Sequence, residues 1–158
     1  MSDLESFFRF LRLPGEDWIE LQALSVRDGY RRREFGACTT IDRAPALIAE
    51  MERRGPQGQY AVINTLRDGV EARHEPHKWH ALEKGESVTD SDIERRRALP
   101  IDCDCDRPKN ISSTAEQLAA AVALADDVDD LLQADGVPGA AIGRGISGNG
   151  ADVYIALD

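Results

Sequence analysis

Apolar and polar positions along this chain alternate between two periods. Leu4, Phe7, Phe8 and Leu11 recur at helical spacing and predict a short amphipathic helix that Pro14-Gly15 ends. Over residues 18–26 the bulky Trp18, Leu21 and Leu24 are separated by Glu20 and Gln22, which predicts a strand, and Asp28-Gly29 reads as a turn. Asp42 is expected to cap a helix over residues 43–54, with Ala46, Leu47, Ile48 and Met51 apolar and Gly55-Pro56 as its stop. Residues 60–65 are β-prone, and the polar stretch 66–88 reads as a long loop. Thr89 is expected to cap a helix with Asp90 and Asp92 in its first turn, leading into a strand over residues 99–105.

The strongest helical signal follows. Ser113 with Glu116, or Thr114 with Gln117, supplies a capping box. Leu118, Val122, Ala125, Val128 and Leu132 then form an apolar stripe, with Asp126, Asp127, Asp129 and Asp130 mostly on the wet face and Gly136 and Pro138 at the end. Strands near 140–143 and 151–157 flank a turn of sequence Ser147-Gly148-Asn149-Gly150. The mixture of strands and helices gives the fold class α/β or α+β, in a single domain over residues 1–158.

Bulk properties narrow the setting. The chain has 158 residues, 42% of them hydrophobic, enough for a real core. No apolar run is long enough to span a bilayer, and the N-terminus lacks a signal-peptide layout, so the expectation is a cytoplasmic protein with no membrane partner. The three cysteines read as reduced thiols. A formal net charge of −10 argues against non-specific coating of DNA, although basic residues cluster at Arg27 with Arg31, Arg32 and Arg33, and again at Arg95, Arg96 and Arg97. Each cluster reads first as solvated surface.

Within the strand expected at 99–105, alternation puts Leu99, Ile101, Cys103 and Cys105 on one face. Pro100, Asp102, Asp104 and Asp106 fall on the other. Neighbouring carboxylates repel one another. A divalent cation removes that repulsion, and Mg²⁺ typically takes one or two carboxylates together with substrate phosphates. An Asp-x-Asp strand therefore suits nucleotidyl transfer. From spacing alone it equally suits an acidic edge strand kept in solvent.

The wider context favours the first reading. Arg96-Arg97-Ala98-Leu99-Pro100-Ile101-Asp102-Cys103-Asp104-Cys105-Asp106-Arg107-Pro108-Lys109-Asn110-Ile111-Ser112-Ser113-Thr114, followed by the Ala-rich helix and by Ser147-Gly148-Asn149-Gly150, resembles the phage- and plasmid-type primase-polymerase domains of the archaeo-eukaryotic primase superfamily. Trp18-Ile19-Glu20-Leu21-Gln22-Ala23-Leu24 and Gln59-Tyr60-Ala61-Val62-Ile63-Asn64 look like that family's early strands.

The resemblance implies a primase-like core with the Asp-x-Asp strand beside a hairpin. It implies Mg²⁺- or Mn²⁺-dependent, template-directed primer synthesis in phage or plasmid replication, with Asp102 and Asp104 as catalytic metal ligands. Arg107, Lys109, Ser147, Gly148, Asn149, Gly150 and Asp152 would meet the nucleotide. The implied partners are nucleoside triphosphates, a single-stranded DNA template and a helicase or other replication protein.

Three features depart from the family pattern. Asp152 stands where a nucleotide-contacting His is usual, Pro100 interrupts the catalytic strand, and a further acidic residue on a later strand lies past the end of this sequence. The expectation is therefore a domain lacking its C-terminal part. The alternative is a non-catalytic relative that binds a nucleotide, nucleic acid or a replication partner. Two other metal arrangements are weaker: His74, His77 and His80 are spaced by three but interrupted by Pro76, and Cys103 with Cys105 lacks a second cysteine pair.

Overall fold

Helix α1 (Asp3–Phe10) forms where the first amphipathic stretch stands, with Phe8 buried. The computed structural model describes residues 3–10, 17–108 and 111–157, so Leu11 and the expected stop at Pro14-Gly15 lie outside the described residues. The chain divides into two compact units, Met1–Arg97 and Ala98–Asp158. Among the described residues it is a mixed α/β protein with three α-helices and antiparallel sheets.

The first unit is organised by the hairpin of β1 (Trp18–Asp28) and β2 (Arg31–Thr40), paired from Trp18↔Thr40 to Asp28↔Arg31. Its loop is Gly29-Tyr30, one residue later than expected, and Gly29 takes the φ of +60° that tight hairpins favour. The apolar pattern gives no warning of β2, because Arg31, Arg32, Arg33 and Glu34 open it with four exposed charged residues. Buried alternation begins only at Phe35, Ala37 and Thr39.

A β-bulge explains why the alternation in β1 is imperfect. Between the pairs Ala23↔Phe35 and Val26↔Arg33, Leu24 and Ser25 oppose Glu34 alone, and Ser25 has φ of +54°. The extra residue shifts the phase. Ile19, Leu21 and Ala23 are buried before it and Val26 after it, all on one continuous face.

Helix α2 (Ala44–Glu52) buries Ala44, Leu47 and Met51. Its N-cap is Arg43, with no side-chain cap, so the capping role expected of Asp42 is not met. The Asp42 carboxylate instead accepts a short hydrogen bond from the Thr40 hydroxyl, which lowers the Asp42 pKa. The helix ends at Glu52, and Gly55 reverses the chain with φ of +63°. Strand β3 (Gly58–Ala61) pairs with β1, and β4 (Thr65–Leu66) is a short strand beyond it.

The stretch expected to be one long loop contains a 3-10 turn at Val70–Ala72 and strand β5 (His80–Ala81), which extends the first sheet to the order β3-β1-β2-β5. Two polar anchors hold it. Buried Glu20 accepts from the Val88 amide at 3.0 Å and from Gln22 at 2.7 Å, and Trp79 Nε1 donates to the Leu47 carbonyl at 3.0 Å. The helix expected after Thr89 is a single 3-10 turn, Asp90–Asp92. Its capping box is real, but Ile93 is already extended and begins β6 (Ile93–Arg95), which pairs with β4. Sheet pairing thus wins over helix propagation after one turn.

Among the described residues the second unit comprises β7 (Ala98–Cys103), α3 (Ala115–Ala134), a 3-10 turn at Gly139–Ala141, β8 (Ile142–Ile146) and β9 (Ala151–Ala156). The sheet order is β7-β9-β8, antiparallel at both junctions. Strands β7 and β8 therefore run parallel on either side of β9, with α3 as the crossover, a split β-α-β arrangement. Thr114 is the N-cap of α3 and forms the capping box with Gln117. At the other end Gly136 has φ of +94°, the Val137 amide bonds to Leu132 O at 2.9 Å and the Gly136 amide bonds to Gln133 O at 3.0 Å, the Schellman pattern.

The stripe read from the sequence does pack. Ala125 joins Cys103, Ala151 and Val153 in a buried cluster, flanked by Val122, Val128, Leu132, Ile101 and Ile142.

Candidate functional site

Strand register assembles the acidic site. On β9, Ala151 and Val153 point into the cluster under α3, so Asp152 and Tyr154 point to the opposite face. On β7, Ile101 and Cys103 share the α3 side, which turns Asp102 the other way. Asp102 and Asp152 are direct cross-strand partners and share that face. Like charges at such positions repel. On β8 the residue opposite Asp152 is Gly145, which has no side chain to crowd it.

Burial, and then the charges of Asp102 and Asp104, push the Asp152 carboxyl above its ordinary value, opposed by a hydrogen bond from the Tyr154 phenol. Burial and the neighbouring Asp152 in turn push the Tyr154 phenol up. Burial also raises the Cys103 thiol on the opposite face, as a structural cysteine would show.

The strand carrying Asp-x-Asp is shorter than expected. β7 stops at Cys103, so Asp104 and Asp106 lie beyond the ladder and the anticipated three-carboxylate strand face is reduced to Asp102. Leu99, expected on the packed face, is 45% exposed. Among the described residues β7 pairs only with β9 and is an edge strand, the place where Pro100, without an N–H, is tolerated.

Asp104 is held by a different device. Arg107 Nη2 donates to its Oδ2 at 2.7 Å while Nη1 donates to Ile111 O at 3.2 Å. The Asp104 hydrogen bond is the main cause of a raised Arg107 pKa. Lys109 lies outside the described residues.

The turn between β8 and β9 meets Asp104 directly. A Cβ placed on Gly150 would sit 2.9 Å from Asp104 Oδ1 and 3.0 Å from the Cys103 carbonyl, so only glycine fits without displacing the backbone. Gly148 has φ of +84°. Ser147 Oγ accepts from the Asn149 amide at 3.3 Å and the Gly150 amide at 3.1 Å, so the turn stabilises itself with these two amides.

A residue that spacing did not single out for the site fastens the turn to the approach of α3. The Ser113 amide donates to Asn149 Oδ1 at 3.2 Å, and its hydroxyl makes a short bond to Asn149 O. Ser113 was legible only as one of two capping candidates; its freedom from that role is what leaves its hydroxyl for Asn149. Tyr154 was not singled out in the sequence; the signal that could have found it is its place two residues after Asp152, on the same strand face.

Asp102, Asp104, Arg107, the 147–150 turn and Asp152 are thus gathered at one end of the β7–β9 pair. Among the described residues no three His, Cys, Asp or Glu side chains are grouped to hold a metal ion by themselves.

The histidines of the first unit do not converge as a triad. His74 and His80 stack at 3.7 Å between centroids, whereas His77 stacks on Trp18 at 5.0 Å and its Nδ1 lies 3.0 Å from the Thr39 hydroxyl oxygen. Burial and then the neighbouring His74 lower the His80 pKa. Cys38, Cys103 and Cys105 are free thiols, and burial, followed by Glu20, pushes Cys38 up to about 11. No helix among the described residues is long and apolar enough to cross a membrane.

No family model, curated protein or solved structure matches this chain.

Proposed function

We propose that the second unit derives from the nucleotidyltransferase core of a phage- or plasmid-type primase-polymerase of the archaeo-eukaryotic primase superfamily. The observation that carries this reading is the approach of Gly150 to Asp104, which sets a glycine turn against the second Asp of an Asp-x-Asp pair. That packing holds the turn beside Asp104, where a triphosphate bound to the carboxylate through a divalent ion would lie against it.

Asp102 and Asp104 would hold Mg²⁺ or Mn²⁺, and the ion would neutralise phosphate charge at the reacting centre. The chain's own residues do the rest. Arg107 occupies Asp104 in the free protein. Were Asp104 to hold the ion, the Arg107 guanidinium would be free for a phosphate oxygen, with Lys109 nearby in sequence. Asp152 lies opposite Asp102, and neutralising Asp102 lowers the repulsion between them. The partners of such a site are nucleoside triphosphates, a single-stranded DNA template and a helicase or other replication protein, in the cytoplasm.

The test is Mn²⁺-induced broadening of backbone amide signals, with and without a nucleoside triphosphate, followed by a templated primer-synthesis assay. Broadening confined to residues around Asp102, Asp104 and 147–152, lost in Asp104→Asn, is the expected result. Uniform or absent broadening refutes the site.

One pair of observations favours a second reading, a non-catalytic relative that binds nucleotide, nucleic acid or a replication partner. Arg107 satisfies Asp104, and Ser147 takes the Asn149 and Gly150 amides that a triphosphate would otherwise meet. Selective broadening with nucleotide but no primer synthesis identifies that case.

A further inference from the structure

The tip of the β1–β2 hairpin concentrates positive charge in an acidic protein. Four arginines, Arg27, Arg31, Arg32 and Arg33, stand against Asp28 alone in the segment 27–33, while the chain as a whole carries −10. All residues from 27 to 34 are exposed. Register places Arg27 directly opposite Arg32, a like-charge pair that folding does not reward.

Two of the arginines are occupied. Arg32 bonds to the Ser25 carbonyl at 2.9 Å, and Arg33 lies between Asp28 at 3.6 Å and Glu83 at 3.5 Å. Among the described residues Arg27 and Arg31 make no ion pair, although Asp28 is the cross-strand neighbour of Arg31. Tyr30 occupies the loop itself, fully exposed, and Arg27, Tyr30, Arg31 and Arg32 line one shallow recess.

We propose that this hairpin tip binds single-stranded nucleic acid, with Arg27 and Arg31 on phosphates and Tyr30 stacked on a base. Guanidinium groups pair with phosphate oxygens, and an aromatic ring set among cations is the arrangement that captures unpaired bases. An anionic membrane is a poorer partner, since the tip offers one aromatic ring and no apolar face. An acidic peptide would use the arginines but leave Tyr30 without a role. The surface belongs to the first unit and does not depend on the acidic site of the second.

Fluorescence anisotropy of a labelled oligothymidylate tests this with the full chain, across a salt series. Arg27→Ala and Arg31→Ala should each reduce the slope of log affinity against log salt by about 0.7. Tyr30→Ala should weaken binding about tenfold and leave the slope unchanged. These side chains point away from the core, and unchanged amide spectra confirm the fold of each variant. Titrations in EDTA without nucleotide keep metal from the acidic site, so the hairpin tip is tested apart from it. Binding that survives all three hairpin substitutions overturns the proposal. So does equal competition by polyglutamate, or binding to anionic vesicles in preference to the oligonucleotide.

Discussion

Replacing Asp152 by Asn should stabilise the second unit. Asp152 is the cross-strand partner of Asp102, and Cβ atoms of such pairs lie about 5 Å apart. Two unit charges at about 5 Å repel by about 0.8 kcal/mol in bulk water and about 3 kcal/mol at an effective dielectric of about 20. Asp102 is exposed, so the watery limit applies, and cross-strand pairs contribute about 0.2–1 kcal/mol. A gain of about 1 kcal/mol at neutral pH is expected.

The asparagine keeps an acceptor for the Tyr154 phenol, so the substitution removes charge rather than the hydrogen bond. The pH dependence follows from the raised Asp152 pKa. A carboxyl whose pKa is raised in the folded state holds its proton more tightly there, so folding is favoured at acid pH. That advantage is lost as pH rises from the unfolded carboxylate range through the raised value. Asp152→Asn should therefore flatten the decline, and the two proteins should converge in acid.

Amide exchange on β9 at neutral pH, combined with urea unfolding at acid and neutral pH, measures both. Asp102→Asn should give a similar gain, and the double variant should gain less than the sum. Millimolar Mg²⁺ should stabilise the unaltered protein more than Asp152→Asn. A neutral-pH stability equal to or below that of the unaltered chain refutes the reasoning. A gain of the same size at all pH values does so too.

Two further outcomes test the packing. Gly150→Ala should cost about 1–3 kcal/mol, because its Cβ would meet the Cys103 carbonyl at 3.0 Å as well as Asp104. Gly145→Ala, with a nearest contact of 3.5 Å, is the tolerated control, and equal urea midpoints for the two would refute the close approach. In the first unit the Arg73 guanidinium holds the Asp92 carboxyl well below the usual carboxylate range, so the pair stabilises above the unfolded carboxylate pKa and the benefit fades as pH falls. Arg73→Met should lower neutral-pH stability and flatten the acid limb, read by fluorescence of Trp18 and Trp79, both in that unit; an unchanged acid limb would count against the pair.

The elements that were legible in the sequence are those whose signal is local. The α3 stripe and its capping box, the β1 strand, and the Ser147-Gly148-Asn149-Gly150 turn each rest on residues within a few positions of one another. Strand β2 was not legible, because its first four positions are charged and its place comes from pairing with β1. The 3-10 turn at Asp90–Asp92 had the cap of a helix, but the following segment gains more by pairing with β4.

The candidate site divides in the same way. That Asp102, Asp104 and Gly150 belong together could be suspected from their order. That Asp102 faces Asp152, and that Arg107 rather than solvent meets Asp104, depends on register and on where β7 stops. The bulge at Leu24-Ser25 shows how small the deciding event can be. One extra residue carries Val26 back to the buried face and leaves Arg27 and Arg32 opposite each other on the far side, where the core has no use for them. Arg32 is taken up by the Ser25 carbonyl at that bulge, whereas Arg27 and Arg31 make no ion pair among the described residues, which leaves their guanidinium groups open to an external anion.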